Sequence, residues 1–208
     1  MFPAPRWLAD KKKTGNLFVI SAPSGAGKST LSAELLRSIP NLVFSVSLTT
    51  RSPRKGEVEG KDYFFVGEDE FFRRQKAGDF IESAQVHGFW YGSPKQELER
   101  SLAQGQDVVL DIDVQGGRQI KKLFPQAVMI FIAPPSMPEL EQRLRNRSQD
   151  SEEVIQKRLK NARKEIAEAQ DYEYLILNRE IGESVKKLQN IVCARRSRMD
   201  PEILKGVY

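Results

Sequence analysis

The sequence predicts an α/β fold of three layers, in which a central parallel sheet is covered by helices on both faces. Three observations predict it. Four short apolar runs read as buried strands: Leu17-Phe18-Val19-Ile20, Val108-Val109-Leu110, Val128-Met129-Ile130-Phe131-Ile132 and Leu175-Ile176-Leu177. Helical patterns lie between them, and strands that alternate with helices form parallel sheets buried on both sides. The first run is followed at once by a Ser/Pro/Gly turn that opens a helix.

The elements follow in order. Residues 1–15 read as a loose extension, with two prolines and a Lys11-Lys12-Lys13 run but no apolar signal-peptide segment. After the first strand, Lys28 to Arg37 is helical, with Leu31, Leu35 and Leu36 on one side. From Ser47 to Ser93 the chain is rich in Gly, Arg, Phe and Tyr, and the run Tyr63-Phe64-Phe65-Val66 suggests a short strand in a small mixed insertion. From Pro138 to Lys160 it is strongly charged, with Leu140 and Leu144 as a thin apolar edge. A cleaner stripe follows at Ile155, Leu159, Ala162, Ile166 and Ala169. Prolines 134, 135 and 138 suggest a hinge into this arm. The expected organisation is an extension (1–15), a core (16–46, 97–137 and 160–208), an insertion (47–96) and a lid (138–159).

Composition bounds the partners. The 208 residues include 33 basic and 28 acidic side chains, a net charge of +5. That excess points to an anionic partner without choosing among nucleic acid, membrane surface and phosphorylated small molecule. One cysteine excludes an internal disulfide framework, and one histidine excludes a His-rich metal site. No segment reaches the roughly 18 apolar residues of a membrane span. A cytoplasmic location is expected. His87 is expected in a surface turn and Cys193 in the buried face of the last helix.

The strongest motif is Ala22-Pro23-Ser24-Gly25-Ala26-Gly27-Lys28-Ser29-Thr30, between a strand and a helix. That context defines a phosphate-binding loop: glycines let backbone N–H groups wrap a phosphate, and the helix N-terminus adds positive potential. The fold class is therefore of the P-loop NTPase type. Lys28 is placed to reach β- and γ-phosphates, and the Ser29 hydroxyl to ligate Mg²⁺, with ATP as the nucleotide. Ala22 replaces the usual first glycine and fits if its φ stays negative. Asp111 ends a buried strand and is the candidate for holding Mg²⁺ through water. Asp113 lies on the same side of the extended chain; it either shares that task or caps the helix beginning at Gln115-Gly116-Gly117.

A second anion site is expected in the insertion. Arg51 and Arg54 bracket a proline turn that would aim two guanidinium forks at one place. Tyr63 and Tyr91 could add hydroxyl donors. The plain alternative is a solvated basic loop.

Four strings in register settle the resemblance: SAPSGAGKST, FSVSLTTRSPRKGEVEGKDYFFV, DFIESAQVHGFWYGS and VVLDIDVQGGRQI. Together they resemble the guanylate kinases over nearly the whole chain from Asn16 to Ile191. The resemblance implies ATP-dependent phosphorylation of GMP and dGMP to GDP in purine nucleotide metabolism, with Mg²⁺. It implies that Arg51, Arg54, Tyr63 and Tyr91 bind the GMP phosphate, and that Glu82, Ser47, Ser93 and Asp113 read guanine. It also implies that Arg143 and Arg158 of the lid act on the triphosphate, joining Lys28 and Arg51 around the transferring phosphoryl group.

The chemistry agrees. Guanine offers N1–H and N2–H₂ to an ionised Glu82, whereas adenine offers a bare acceptor at N1, and a site built for donors rejects a partner lacking them. Strand alternation is expected to put Phe80 and Glu82 on one face. Departures from the family pattern include Asn146 and Ser148 where the lid commonly has glycine, Leu48, and Asn178-Arg179-Glu180. The competing readings are a non-catalytic guanylate kinase-like binding module, and nucleic-acid binding through Lys11–Lys13 and the Arg195-Arg196-Ser197-Arg198 tail. Neither a membrane nor a specific nucleic acid is expected as partner, and the sequence leaves homo-oligomer formation open.

Overall fold

The computed structural model describes residues 14–147 and 151–198. The Lys11–Lys13 run and Ser148 lie outside them. The elements are β1 (Leu17–Ser21), α1 (Lys28–Ser38), β2 (Leu42–Phe44), β3 (Leu48–Thr49), β4 (Phe64–Phe65), α2 (Glu68–Ala77), β5 (Phe80–Val86), β6 (Phe89–Pro94), α3 (Lys95–Ala103), β7 (Asp107–Asp111), α4 (Val114–Leu123), β8 (Val128–Ala133), α5 (Met137–Arg147), α6 (Glu152–Ala167), β9 (Tyr174–Leu177) and α7 (Ile181–Arg196).

Five strands form an all-parallel sheet in the order β2-β7-β1-β8-β9. β1 and β8 are buried along their whole length, as strands covered on both faces must be. Alternation splits β1 between two cores. Phe18 and Ile20 join Leu31 and Leu35 of α1 and Leu188 and Val192 of α7. Leu17 and Val19 join Leu98 of α3 and Ile120 of α4 on the other face. Helices therefore cover the sheet on both sides, giving the expected three layers.

The basic tail of α7 is tied to the base of this sheet. Asp107, buried, accepts from the Asn16 backbone N–H at 2.7 Å and from Arg196 Nε at 2.7 Å. Arg195 donates to the Asn16 side chain at 3.1 Å and the Gln126 carbonyl at 3.1 Å. Cys193, expected to be buried, is exposed; α7 faces the sheet with Ser184, Leu188 and Val192 instead. Among the described residues no helix is long and apolar enough to cross a membrane.

A second, mixed sheet has the order β4-β3-β6-β5, all from the 48–94 stretch. Phe71 and Phe72 of α2 pack with Phe80 and Trp90 on one side of it. The pairing of β5 with β6 shifts register between Phe80 and Glu82. A bulge adds one residue and reverses the alternation on either side of it. Phe80 therefore stacks on Phe71, with ring centroids 4.8 Å apart, while Glu82 faces the opposite way. The expectation that Phe80 and Glu82 share a face is thus corrected: an alternation rule cannot foresee an inserted residue.

α5 and α6 form a third small core of Leu140, Leu144, Ile155, Leu159 and Ala162. Asn146 is helical in the last turn of α5 and has no positive φ, so it does not form the left-handed turn its type permits.

Candidate active site

The loop after β1 takes the shape its glycines allow. Gly25 and Gly27 have φ of 91° and 95°, while Ala22 stays out of the left-handed region. A Cβ on Gly25 would lie 2.9 Å from Leu144 Cδ2, and one on Gly27 would collide with Asn178 Nδ2. Both glycines are thus required by backbone sign and by neighbours. No side chain caps the N-terminus of α1, so its first N–H groups stay available for an anion.

Lys28 points to the carboxyl end of the sheet, where it pairs with Asp111 and donates to the Ile112 carbonyl at 3.3 Å. Register explains the meeting, because Ile20 of β1 lies beside Asp111 of β7. Burial pushes the Lys28 ammonium toward its neutral form, but the Asp111 carboxylate outweighs this and leaves the pKa raised. The second Asp111 oxygen faces Ser32 Oγ at 3.5 Å. Asp113 is the N-cap of α4 and accepts from the Gly116 N–H at 3.0 Å; its other oxygen accepts from Gln115 at 2.9 Å. The capping alternative therefore holds for Asp113, and it also lines the cleft.

One cleft is walled by the loop residues Ala22, Pro23, Ser24, Gly25, Gly27, Lys28 and Ser29 on one side. Ser47, Arg54, Tyr63, Glu82 and Tyr91 stand opposite, with Asp111 and Asp113 between. Ala26 is buried beneath the loop. Thr30, Ser93, Arg51, Arg143 and Arg158 do not contribute to this wall.

Behind the far wall lies a buried hydrogen-bonded chain. Ser47 Oγ is 3.1 Å from Ser93 Oγ, and Ser93 donates to Glu82 Oε1 at 2.6 Å. Ser93 is fully buried, so it supports Glu82 and Ser47 from behind. Burial pushes the Glu82 carboxyl up to about 7; the Ser93 bond opposes this and the Asp113 charge adds to it. A Cβ on Gly116 would lie 2.5 Å from Glu82 Oε2, so this glycine lets the start of α4 approach the carboxylate.

The two insertion arginines do not converge. Arg51, 8% exposed, makes a bidentate pair with Glu57 at 2.8 and 3.0 Å. It also donates to the Ser52 carbonyl at 2.7 Å and to the Tyr91 hydroxyl at 3.3 Å. A guanidinium has five N–H donors, and four are engaged, which leaves one for an incoming ligand. Arg54 instead lines the cleft, and its guanidinium donates no hydrogen bond to another described residue. The proline turn alone could not reveal the Glu57 partnership; a carboxylate six residues after Arg51 was the available signal.

Glu57 carries a stability prediction. Partial burial pushes its carboxyl up, but the Arg51 fork and the Arg54 N–H outweigh this and hold it below the usual range. Glu57→Ala is expected to cost roughly 2 kcal/mol, the scale of hydrogen bonds to a charged group. That is about 4–8 °C in Tm for a chain of this size. The contribution exists above the ordinary carboxylate pKa and disappears as pH falls through the lower folded value. Melting curves at neutral and acid pH check this: the gap between variant and wild type should close in acid.

Asn178 and Glu165 are further residues that motif reading did not place in the site. Asn178, 4% exposed, donates to the Ala26 carbonyl at 2.8 Å. Its own carbonyl accepts from Arg143 at 3.0 Å, and Arg143 also pairs with Glu139 at 2.6 Å. Asn178 thus joins the loop to α5, while its Oδ1 is buried without a partner. Glu165 of α6 lines the cleft, and burial, together with the Asp113 charge, pushes its carboxyl up to about 7.

A family model described as guanylate kinase matches residues 14–195. The chain belongs to the guanylate kinase family. It is 49% identical to the guanylate kinase of Geobacter sulfurreducens over 187 residues, covering 90% of this chain and 92% of that one. With the guanylate kinase of Cereibacter sphaeroides it shares 48% identity, covering 94% of each. Its fold is similar to the crystal structure of guanylate kinase from Anaplasma phagocytophilum, with a TM-score of 0.77 and 39% identity, covering 90% of this chain and 89% of that one.

Proposed function

We propose that the protein is an enzyme that transfers the terminal phosphoryl group of ATP to the phosphate of GMP or dGMP, giving ADP and GDP or dGDP. One observation carries the reading. The Glu82 carboxylate, supported by Ser93, opens into the same cleft as a phosphate-binding loop.

The loop from Ala22 to Thr30 takes the ATP phosphates. Arg54, Tyr63 and Tyr91 take the acceptor phosphate, with Arg51 held behind them by Glu57. Glu82 and Ser47 meet guanine, and Asp113 fixes the start of α4 beside them. An acceptor phosphate oxygen attacks the γ-phosphorus in line while the bond to the ADP oxygen breaks. No general base is required, because the acceptor phosphate is largely anionic near neutral pH. Lys28 offsets charge on the transferring group, and Arg143 and Arg158 join it as the lid closes. We read 47–96 and 138–159 as the parts that move, excluding water so that ATP is not hydrolysed.

The donor set suits Mg²⁺, since the Ser29 hydroxyl and the Asp111 carboxylate are hard oxygens at the cleft. Ser29 would ligate the ion directly and Asp111 through water, and the ion would offset phosphate charge. The protein is expected to act in the cytoplasm. No observation favours the non-catalytic module.

The test is turnover of ATP with GMP, dGMP, AMP, CMP and UMP in turn. GMP and dGMP are expected to exceed AMP by at least 10³-fold in kcat/KM, in line with sites that hydrogen-bond a substrate N–H. Comparable rates for AMP and GMP would refute the guanine reading.

A further inference from the structure

His87 and Gly88 form the two-residue turn between β5 and β6, with φ of 52° and 90°. Such a tight hairpin requires left-handed backbone at both positions, and Asn, Asp or Gly supply it most readily. Histidine is also among the types enriched at positive φ, and this one lines the cleft together with Arg54, Tyr91, Asp113 and Glu165. Across the gap, Asn161 of α6 brings its Nδ2 to 3.5 Å from His87 Nδ1, the outer limit of a hydrogen bond. The two residues belong to different parts of the molecule. His87 tips the hairpin that carries Glu82 and Tyr91. Asn161 lies on the helix that leaves the Ile155–Leu159 lid core and carries Arg158. Positions 158, 161 and 165 fall on one helical face, the face that presents Glu165 to the cleft.

We propose that His87 is a positioning residue whose Nδ1 accepts a hydrogen bond from Asn161, so that filling the acceptor site draws α6 and Arg158 toward the phosphate-binding loop. This rests on the functional reading given above. The latch needs a neutral imidazole protonated at Nε2, because an imidazolium has no lone pair to accept with. The charged groups facing the ring are Arg158 and Lys157 from α6, Arg54 from the loop before β4, and Asp113 at the start of α4, and Glu165 of α6 lines the same cleft. Burial, then the three cations, hold its pKa below 6.5 against the opposing Asp113. The latch is therefore present at neutral pH and lost as pH falls through that lowered value.

The test is calorimetric titration of ADP with Mg²⁺ into the full-length protein, with and without saturating GMP, a pair that does not react. The ratio of the two affinities measures the coupling between sites. His87→Gly keeps the left-handed turn while removing the imidazole. It is expected to reduce the ratio roughly two- to tenfold, the worth of one hydrogen bond. Asn161→Ala should do the same, and the double variant should lose no more than either single one. His87→Asn fits the turn and can still pair with Asn161, so its ratio should hold as pH falls, whereas the wild type should lose coupling as pH falls through the lowered imidazole pKa. An unchanged ratio in His87→Gly, or additive losses in the double variant, would overturn the latch. A wild type that binds no GMP would overturn the functional reading itself.

Discussion

Lys28→Ala is expected to lower kcat/KM for GMP and ATP by about 10³-fold, the scale of removing one preorganised donor from developing charge. The loss should fall mainly on kcat, because the loop backbone and the start of α1 still hold phosphate without the side chain. Lys28→Arg should recover little, since a planar fork does not replace a compact ammonium against the Asp111 carboxylate. The raised pKa of Lys28 keeps it charged through the assay range, so the defect should not depend on pH between about 6 and 9. Steady-state kinetics at several pH values checks this, alongside a melting curve showing that the variant is folded. A variant turning over within tenfold of wild type would remove Lys28 from the mechanism.

Glu82→Gln is expected to cost roughly 10²–10³-fold in kcat/KM for GMP, because an amide N–H₂ would face guanine donors that need acceptors. AMP should gain relative to GMP by a similar factor. The pH profile gives a sharper signature. Buried Glu82 titrates at about 7, and only its ionised form accepts from both guanine donors. Wild-type kcat/KM for GMP should therefore rise with pH up to about 7 and then level. In Glu82→Gln that limb should vanish, leaving only the acceptor phosphate's own ionisation near about 6. The stability effect has the opposite sign. Between the ordinary value of 4.5 and about 7 the folded chain holds a proton that the unfolded chain releases. Wild-type stability should thus fall as pH rises through that window, and Glu82→Gln should remove its share of the fall, leaving that of Glu165. An acid limb that persists unchanged in the variant would assign it to another group.

The phosphate loop was legible because its requirements are local. Gly25 and Gly27 are dictated by backbone sign, and the strand before them by an unbroken apolar run. The residues proposed to face guanine were suggested only by four strings in register, since nothing in an isolated Glu82 marks it as buried. What failed did so where side chains compete for one another. Arg51 and Arg54 read as a converging pair, yet Glu57 takes most of the donors of one of them. Phe80 and Glu82 read as neighbours on a face, yet a bulge separates them. Cys193 read as buried, yet α7 turns Ser184, Leu188 and Val192 inward instead.

The sequence by itself determined the layered fold and the class of ligand, because hydrophobic period and glycine spacing are set within a few residues of chain. Tertiary structure alone decided which charges remain available. Lys28 at the start of α1 meets Asp111 at the end of β7, Asn178 ties the Ala26 carbonyl to Arg143, and Asn161 of α6 reaches His87 of the hairpin. The last of these partners stands 74 residues away along the chain. Whether a charged or polar group is free for a ligand depends on such distant partners, and no local pattern records them.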